Sequence, residues 1–495
     1  DRVRFRQGKP ENLRGYKKHN TTALTGIARD MLAWNDNDTR KHIIIGTNKE
    51  VIVEKDATFY DVTPIVTVVS AQDIFNTTQD SKTVVVSINN HDLTIGDRII
   101  VEGANTVGGN IDLSSGTGIH IVTSVVGLNS FEIESSISAS ETSVGAGGTA
   151  VSVAFLLRNE LSDSIQGLGW GAGVYNAGVT TTGVRAWNQP SSASNITFRS
   201  NQWSFDNYEE YVLGVRRGGQ ILAFQQDASV TPERMKVVTS STNAVHITAT
   251  KAPVKSNFLL VSPNDGHVIC FGTNSIDGTF DPLLVRWSDQ EDFSNWAVSA
   301  GTTSRENPLA DGTEIVGAVR SRGEILIWID NSLHNMVFTC DIVSVFRFTQ
   351  LGTMCGLIDP HSAIDYAGIS YWMGDNNFYA YDGRVQNLPC TIRRHLFDDF
   401  NNTNKDKVYA GINSEFKEII WLYPKGNSTE PNAYVIYNTE EKTWVFGDSF
   451  YTTFKDRHVF DNTLATGQRT NFQGVTDSSQ FLFDNEPEEY YTDDE

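Results

Sequence analysis

Two stretches of this chain concentrate side chains that could do chemistry. WSDQEDFSNW, Trp287 to Trp296, holds Asp289, Glu291 and Asp292 between two tryptophans. Paired carboxyls with an aromatic platform suit glycosidic cleavage, but that reaction needs one carboxyl kept protonated by burial about 5 to 10 Å from a second, ionised one. Neighbouring residues on one turn do not create that difference, so the segment reads as a blade-closing turn capped by Trp287 and Trp296. The second stretch, YWMGDNNFYAYDGRVQNLP from Tyr371 to Pro389, sets aromatic runs on either side of a polar turn and ends them at Asp382-Gly383-Arg384. Its aromatics fit packing between sheets, with Asp-Gly reversing the chain.

Other chemical signatures are weaker. Gly167-x-Gly169-x-x-Ala172 resembles a dinucleotide loop, yet lacks the preceding strand and following helix that would place a pyrophosphate, so it reads as a glycine loop carrying Trp170 to a packing contact. Asn35 to Asp38 lacks the Gly and distal Glu of a calcium loop and reads as a turn. The sequence contains no GxSxG, HExxH or GxxxxGK[ST] motif, and its ten histidines are scattered. The expectation is therefore no catalytic residues, no cofactor and no metal. Cys270, Cys340, Cys355 and Cys390 have neither zinc nor CxxC spacing and read as reduced, packed thiols. Arg2, Arg4 and Arg6 alternate at the start, as on the solvent side of a strand that contacts a neighbouring subunit.

The elements that must hold these residues are hairpins. Apolar run, Gly/Asn/Asp turn and apolar run recur from Lys41, and then from positions 210, 267, 323, 369 and 417, 46 to 57 residues apart. Repeats of that size suit four-stranded propeller blades, whose stacking around an axis covers faces that no single sheet can bury. The expected fold is all-β, a propeller of six or seven blades. Residues 1–64 supply the N-terminal strand and first blade or blades. The composition turns rich in Val, Thr, Ser and Gly over 65–155, predicting an inserted small β-sandwich or barrel that projects from the propeller. Its strands are expected at Thr83–Ile88, Arg98–Glu102, His120–Val126 and Ser130–Glu134. Residues 156–483 carry the remaining blades, with the glycine-rich loop near 167–187, and 484–495 an acidic tail or the stub of a further domain. Thr391–Phe400, with Ile392, Leu396 and Phe400 at i, i+4 and i+8, is the best helix candidate.

Of the 495 residues, 39 are basic and 60 acidic, a formal net charge of -21, which disfavours tight binding to nucleic acid or anionic membrane. No apolar run is long enough to span a bilayer, and the first residues do not form a signal peptide.

DRVRFRQGKPENLRGYKK, DPLLVRWSDQEDFSNW, YWMGDNNFYAYDGRVQNLP and the following RRHLFDDFN together resemble blocks of tail nozzle, or tail tubular, proteins of short-tailed bacteriophages. The resemblance extends over nearly the whole chain. It implies a non-enzymatic virion protein of the phage tail, assembled in the host cytoplasm as a homo-hexamer. A portal-adaptor protein would sit above it, tail fibre, spike or needle proteins would attach, and double-stranded DNA would pass through transiently and without sequence preference. The assembly candidates are then Arg2, Arg4, Arg6, Trp170, Trp287, Asp289, Asp382, Gly383 and Arg384. Six copies would carry a formal -126, a wall to which a phosphate polyanion does not adhere, acting only within about 8 Å at physiological salt. The competing readings are a propeller glycan hydrolase or lyase and a receptor-binding tail module.

Overall fold

Seven antiparallel sheets form the blades; six run outward in sequence order from their first strand, and the seventh does so until its outermost strand, which comes from the N-terminus. In the computed structural model, which describes residues 3–158, 164–165, 198–225, 232–342, 344–470 and 476–486, these first strands contact one another as a closed ring. They are Ala28–Asn35, Trp203–Tyr208, Ser256–Ser262, Ile315–Ser321, Ala363–Tyr366, Tyr409–Asn413 and Tyr451–Lys455, in blades 1 to 7. The fold is a seven-bladed β-propeller. Blade 2 has five strands and the others four.

Strand faces alternate, so each blade needs cover on both sides, and aromatic and β-branched residues supply it. The Tyr371–Pro389 stretch behaves in this way. Trp372 is fully buried against Trp328 of blade 4, ring centroids 5.2 Å apart, and donates its indole N–H to the Cys355 carbonyl. Tyr371 and Phe378 face the other way, into blade 6, where Phe378 lies 4.9 Å from Trp421 and 4.7 Å from Trp444. Asp382 and Arg384 are exposed on the turn, where Gly383 has φ 112, a conformation open to glycine.

Ring closure is shared between the chain's two ends. Blade 7 takes three strands from Tyr451–Lys455, Thr463–Thr470 and Thr476–Asn485, and its outermost strand is Tyr16–Lys18 from the N-terminus. Asp484 and Asn485, assigned from sequence to an acidic tail, are therefore blade residues; positions 487–495 lie outside the described residues. The expected helix shortens to Arg393–Asp398, with Leu396 buried. Of the four cysteines, all free, Cys270 and Cys355 are buried and Cys390 partly so, but Cys340 is exposed, which corrects the expectation that all are packed.

By contacts, Thr63–Leu161 with Arg234–Val237 forms a unit of its own. It contains one eight-stranded antiparallel sheet around a core that includes Phe75, Val84, Ile99, Val122, Phe131 and Val153. Its strands include Thr83–Ser87, Arg98–Glu102, Ile119–Gly127 and Ser130–Glu134, with the Leu128-Asn129 turn joining the last two.

Candidate functional site

The innermost strand of every blade has one edge toward the axis, where backbone N–H groups find no ladder partner and burial makes an unpaired group costly. Side chains from the preceding blade supply acceptors. Asp30 accepts the Phe205 amide at 3.2 Å, and Asp206 accepts the Val261 amide at 2.8 Å. Ser204 donates its hydroxyl to the Leu259 carbonyl at 2.7 Å. Burial raises the pKa of Asp206, against the opposing charge of Arg320 at 3.0 Å.

The same region is closed across its middle. His361, just before blade 5, donates Nε2–H to the Trp203 carbonyl of blade 2 at 2.6 Å. Its ring stacks on Tyr409 of blade 6 at 5.2 Å and 25°. Tyr409 donates its hydroxyl to Asp30 Oδ1 of blade 1 at 2.9 Å, and burial together with Asp30 holds its pKa well above the usual phenol value. Ser200 and Gln202, leading into blade 2, both bond Asp406, which leads into blade 6; the Ser200 hydroxyl lies 3.0 Å from Asp406 Oδ2. Blades 2 and 6 are not neighbours in the ring. Bonds between them occupy the space that an open axial pore would need, so the axis is sealed by packed, hydrogen-bonded side chains.

Two of the three carboxylates between Trp287 and Trp296 are engaged within the turn, Asp292 accepting the Ser294 amide and hydroxyl. Asp289 accepts the Thr303 amide and hydroxyl, both at 2.7 Å, and the Asn295 side chain at 3.1 Å. Burial would raise its pKa, but the Thr303 and Gln290 bonds and His267 lower it, so it is an ionised organiser of the turn. Behind it, buried His267 lies between Asp265 at 2.6 Å and the Thr303 hydroxyl at 3.0 Å. This is the outline of a nucleophilic triad, but the Thr303 hydroxyl donates to Asp289 and His267 is fully buried. Trp287 fills the seam between blades 3 and 4, 5.1 Å from Phe346, and Trp296 the seam between blades 2 and 3. Asp36, in the calcium-like fragment, accepts the Arg40 amide, the Arg40 side chain and His42, which outweigh burial and bring its pKa down to about 2. It closes a hairpin. Among the described residues no group of three or more His, Cys, Asp or Glu is gathered as a metal site.

The N-terminal arginines do not form one exposed row. Arg2 and Trp170 lie outside the described residues. Arg6 is exposed, whereas Arg4 is only 3% exposed, contrary to the solvent-facing alternation read from sequence. Its guanidinium sits 3.5 Å above the Phe416 ring, donates to both oxygens of Glu486 at 2.7 Å, and lies 3.1 Å from Glu418. Burial raises the Glu418 pKa to about 7, with Arg4 opposing and Glu486 adding to the rise. Further along the N-terminal segment, Arg14 faces Glu415 at 3.5 Å and Lys18 lies 3.3 Å above the Phe481 ring. His19 lies 2.9 Å from Asp484 of blade 7 and 3.6 Å from Glu54 of blade 1.

Sequence reading missed the sealing residues Asp30, Asp206, His361 and Tyr409. A usable signal was there: ARDMLAWN and WSFDNY each set an acid among large apolar residues of one strand, and burial permits that only with partners. Glu418 and Glu486 gave no such signal, because one ends a turn and the other opens an acidic run.

No protein-family model matches the chain, and no curated protein matches it. Solved structures with a similar course include a catalytically inactive virginiamycin B lyase from Staphylococcus aureus, at 9% identity and TM-score 0.33, over 57% of this chain and 84% of that one. The phage phi92 endosialidase aligns at 10% identity and TM-score 0.18 over 98% of this chain and 62% of that one. An exported protein of Bacteroides fragilis aligns at 9% and 0.31, over 59% and 92%.

Proposed function

We propose that this protein is a structural, non-enzymatic subunit of the tail of a short-tailed bacteriophage, six copies of which surround a lumen that passes double-stranded DNA. The observation that carries this reading is the sealed axis. Trp203, His361, Tyr409 and Asp30 close the axis of each propeller where they meet, so a conduit built from it has to run between copies, with the propellers as wall segments. A closed ring of blades suits that role, because every sheet face is covered by its neighbour and local strain has few free edges to move. The sequence resemblance to nozzle proteins and the net charge of -21 point the same way. The adaptor above and the fibre, spike or needle proteins belong to the same proposal.

One observation favours a glycan hydrolase instead: Glu418, with its raised pKa, and Glu486 lie together in a cleft lined by Tyr16, Tyr434 and Tyr451. Both carboxyls, however, hold one guanidinium and are at most 7% exposed, which leaves no face for a sugar ring. Native mass spectrometry of the full chain, alone and with the adaptor of its virion, tests the proposal. A six-fold species supports it; a persistent monomer that shortens host surface polysaccharide overturns it.

A further inference from the structure

We propose that residues 16–24 form a releasable strap that closes the propeller ring, held by the imidazolium of His19 between a carboxylate of the last blade and one of the first, and freed when that proton is lost. This goes beyond the tail reading and does not depend on it.

Between its start and Leu24, which is buried in the core shared by blades 1 and 7, the strap is held mainly by a short strand pairing, His19 and the Asn20 side chain, which donates to the Ala57 carbonyl at 2.6 Å. Its strand pairs only three residues, Tyr16, Lys17 and Lys18, with Asn485, Asp484 and Phe483. Two more backbone bonds follow, from the His19 amide to Leu482 and from the Leu24 amide to Gln480. His19 is where blade 7 and blade 1 are drawn onto one side chain. Nδ1 lies 2.9 Å from Asp484, Nε2 lies 3.6 Å from Glu54, and the ring meets Phe460 edge-on at 5.5 Å. Glu54 is buried and its Oε2 has no hydrogen bond, so an imidazolium 3.6 Å away supplies that oxygen with a facing positive charge. A neutral ring can donate to only one of the two acids, leaving two carboxylates facing each other across it. Burial of His19 works against its proton, but the bonds and charges of Asp484 and Glu54 outweigh burial and raise its pKa from 6.5 to about 9.

The upstream hairpin, Val3–Arg6 with Lys9–Asn12, is pinned separately through Arg4 to Glu418 and Glu486. Opening at His19 therefore leaves the strap tethered at its start. It uncovers the Phe483–Asn485 edge of blade 7 and the faces of Phe450 and Phe483, on which Tyr16 packs at 5.0 and 5.4 Å.

Hydrogen exchange of the full-length protein between pH 6.5 and 10 tests this, with protection corrected for the intrinsic pH dependence of exchange. Protection of the peptide covering 16–24 is expected to fall about tenfold or more through pH 9, clearly more than that of a peptide from Glu324–Ile329. In His19→Gln the strap is expected to be poorly protected already at pH 6.5 and insensitive to pH. Glu54→Gln keeps the histidine but removes one of its acids, and its midpoint is expected to move to lower pH. Strap protection independent of pH in the unsubstituted protein overturns the proposal, as does an unshifted midpoint in Glu54→Gln.

Discussion

At the residue scale, the informative positions are those where a polar group is buried with its partner. Tyr409 and Asp30 come from blades 6 and 1, and their bond helps seal the axis. Tyr409→Phe keeps the ring and removes the donor, leaving a buried carboxylate oxygen short of one partner, so it should cost about 1–3 kcal/mol in equilibrium unfolding. An unchanged denaturation midpoint would refute this assignment. Gly46 shows a close approach of a different kind. A Cβ there would stand 2.5 Å from Trp203 and 2.8 Å from Phe205, two rings stacked at 5.3 Å. Both are large and walled in, so Gly46→Ala should destabilise by about 1–3 kcal/mol, and calorimetry should show a lowered Tm. The partners of Asp30 could not be read from sequence, because Tyr409 is 379 positions away; only the oddity of an acid inside ARDMLAWN was visible.

Elements were legible where one hairpin carried its own pattern. The turn at Asp382-Gly383 and the insertion's strand Arg98–Glu102 follow from local turn chemistry and apolar alternation. Tyr16–Lys18 did not, because three residues of Tyr-Lys-Lys have no period and owe their strand state to blade 7 alone. For the same reason Arg4 was misplaced: alternation separates the two faces of a strand but does not say which one meets a buried Glu486. These attachments give the ring closure a pH dependence of definite sign. His19 has a raised pKa, so its contribution is fully present below about 6.5 and lost as pH rises through about 9. Glu418 is an acid raised from 4.5 to about 7, so the folded state holds its proton more tightly and stability falls as pH climbs through that interval. Both act in one direction. Urea midpoints of the full chain should decline from pH 5 to pH 10, and Glu418→Gln should flatten the part below pH 7. A midpoint that rises with pH over this range would contradict both assignments.

At the scale of the whole molecule, the charge distribution decides how the protein would meet a DNA duplex. Nonspecific affinity comes from Lys and Arg side chains that displace counterions from phosphates, and it weakens steeply with salt. The chain has 39 such residues against 60 acids, and its densest basic stretch is the first eighteen residues. In the folded chain Arg4 is buried against Glu486 and Glu418 and Arg14 is paired with Glu415, whereas Arg6, Lys9, Lys17 and Lys18 are exposed. The pairs remove acids together with bases, so the excess of acid over base in the whole chain remains. Even at low salt, where the Debye length reaches about 30 Å at 10 mM, the long-range field should repel a phosphate polyanion. Fluorescence anisotropy with a labelled duplex is expected to show no saturable binding below about 100 μM protein at 50 mM salt, weaker than the usual nonspecific range. Binding in the low micromolar range that collapses with added salt would mean that the N-terminal basic side chains are available to DNA, and would remove the non-adhesive wall from the proposed conduit.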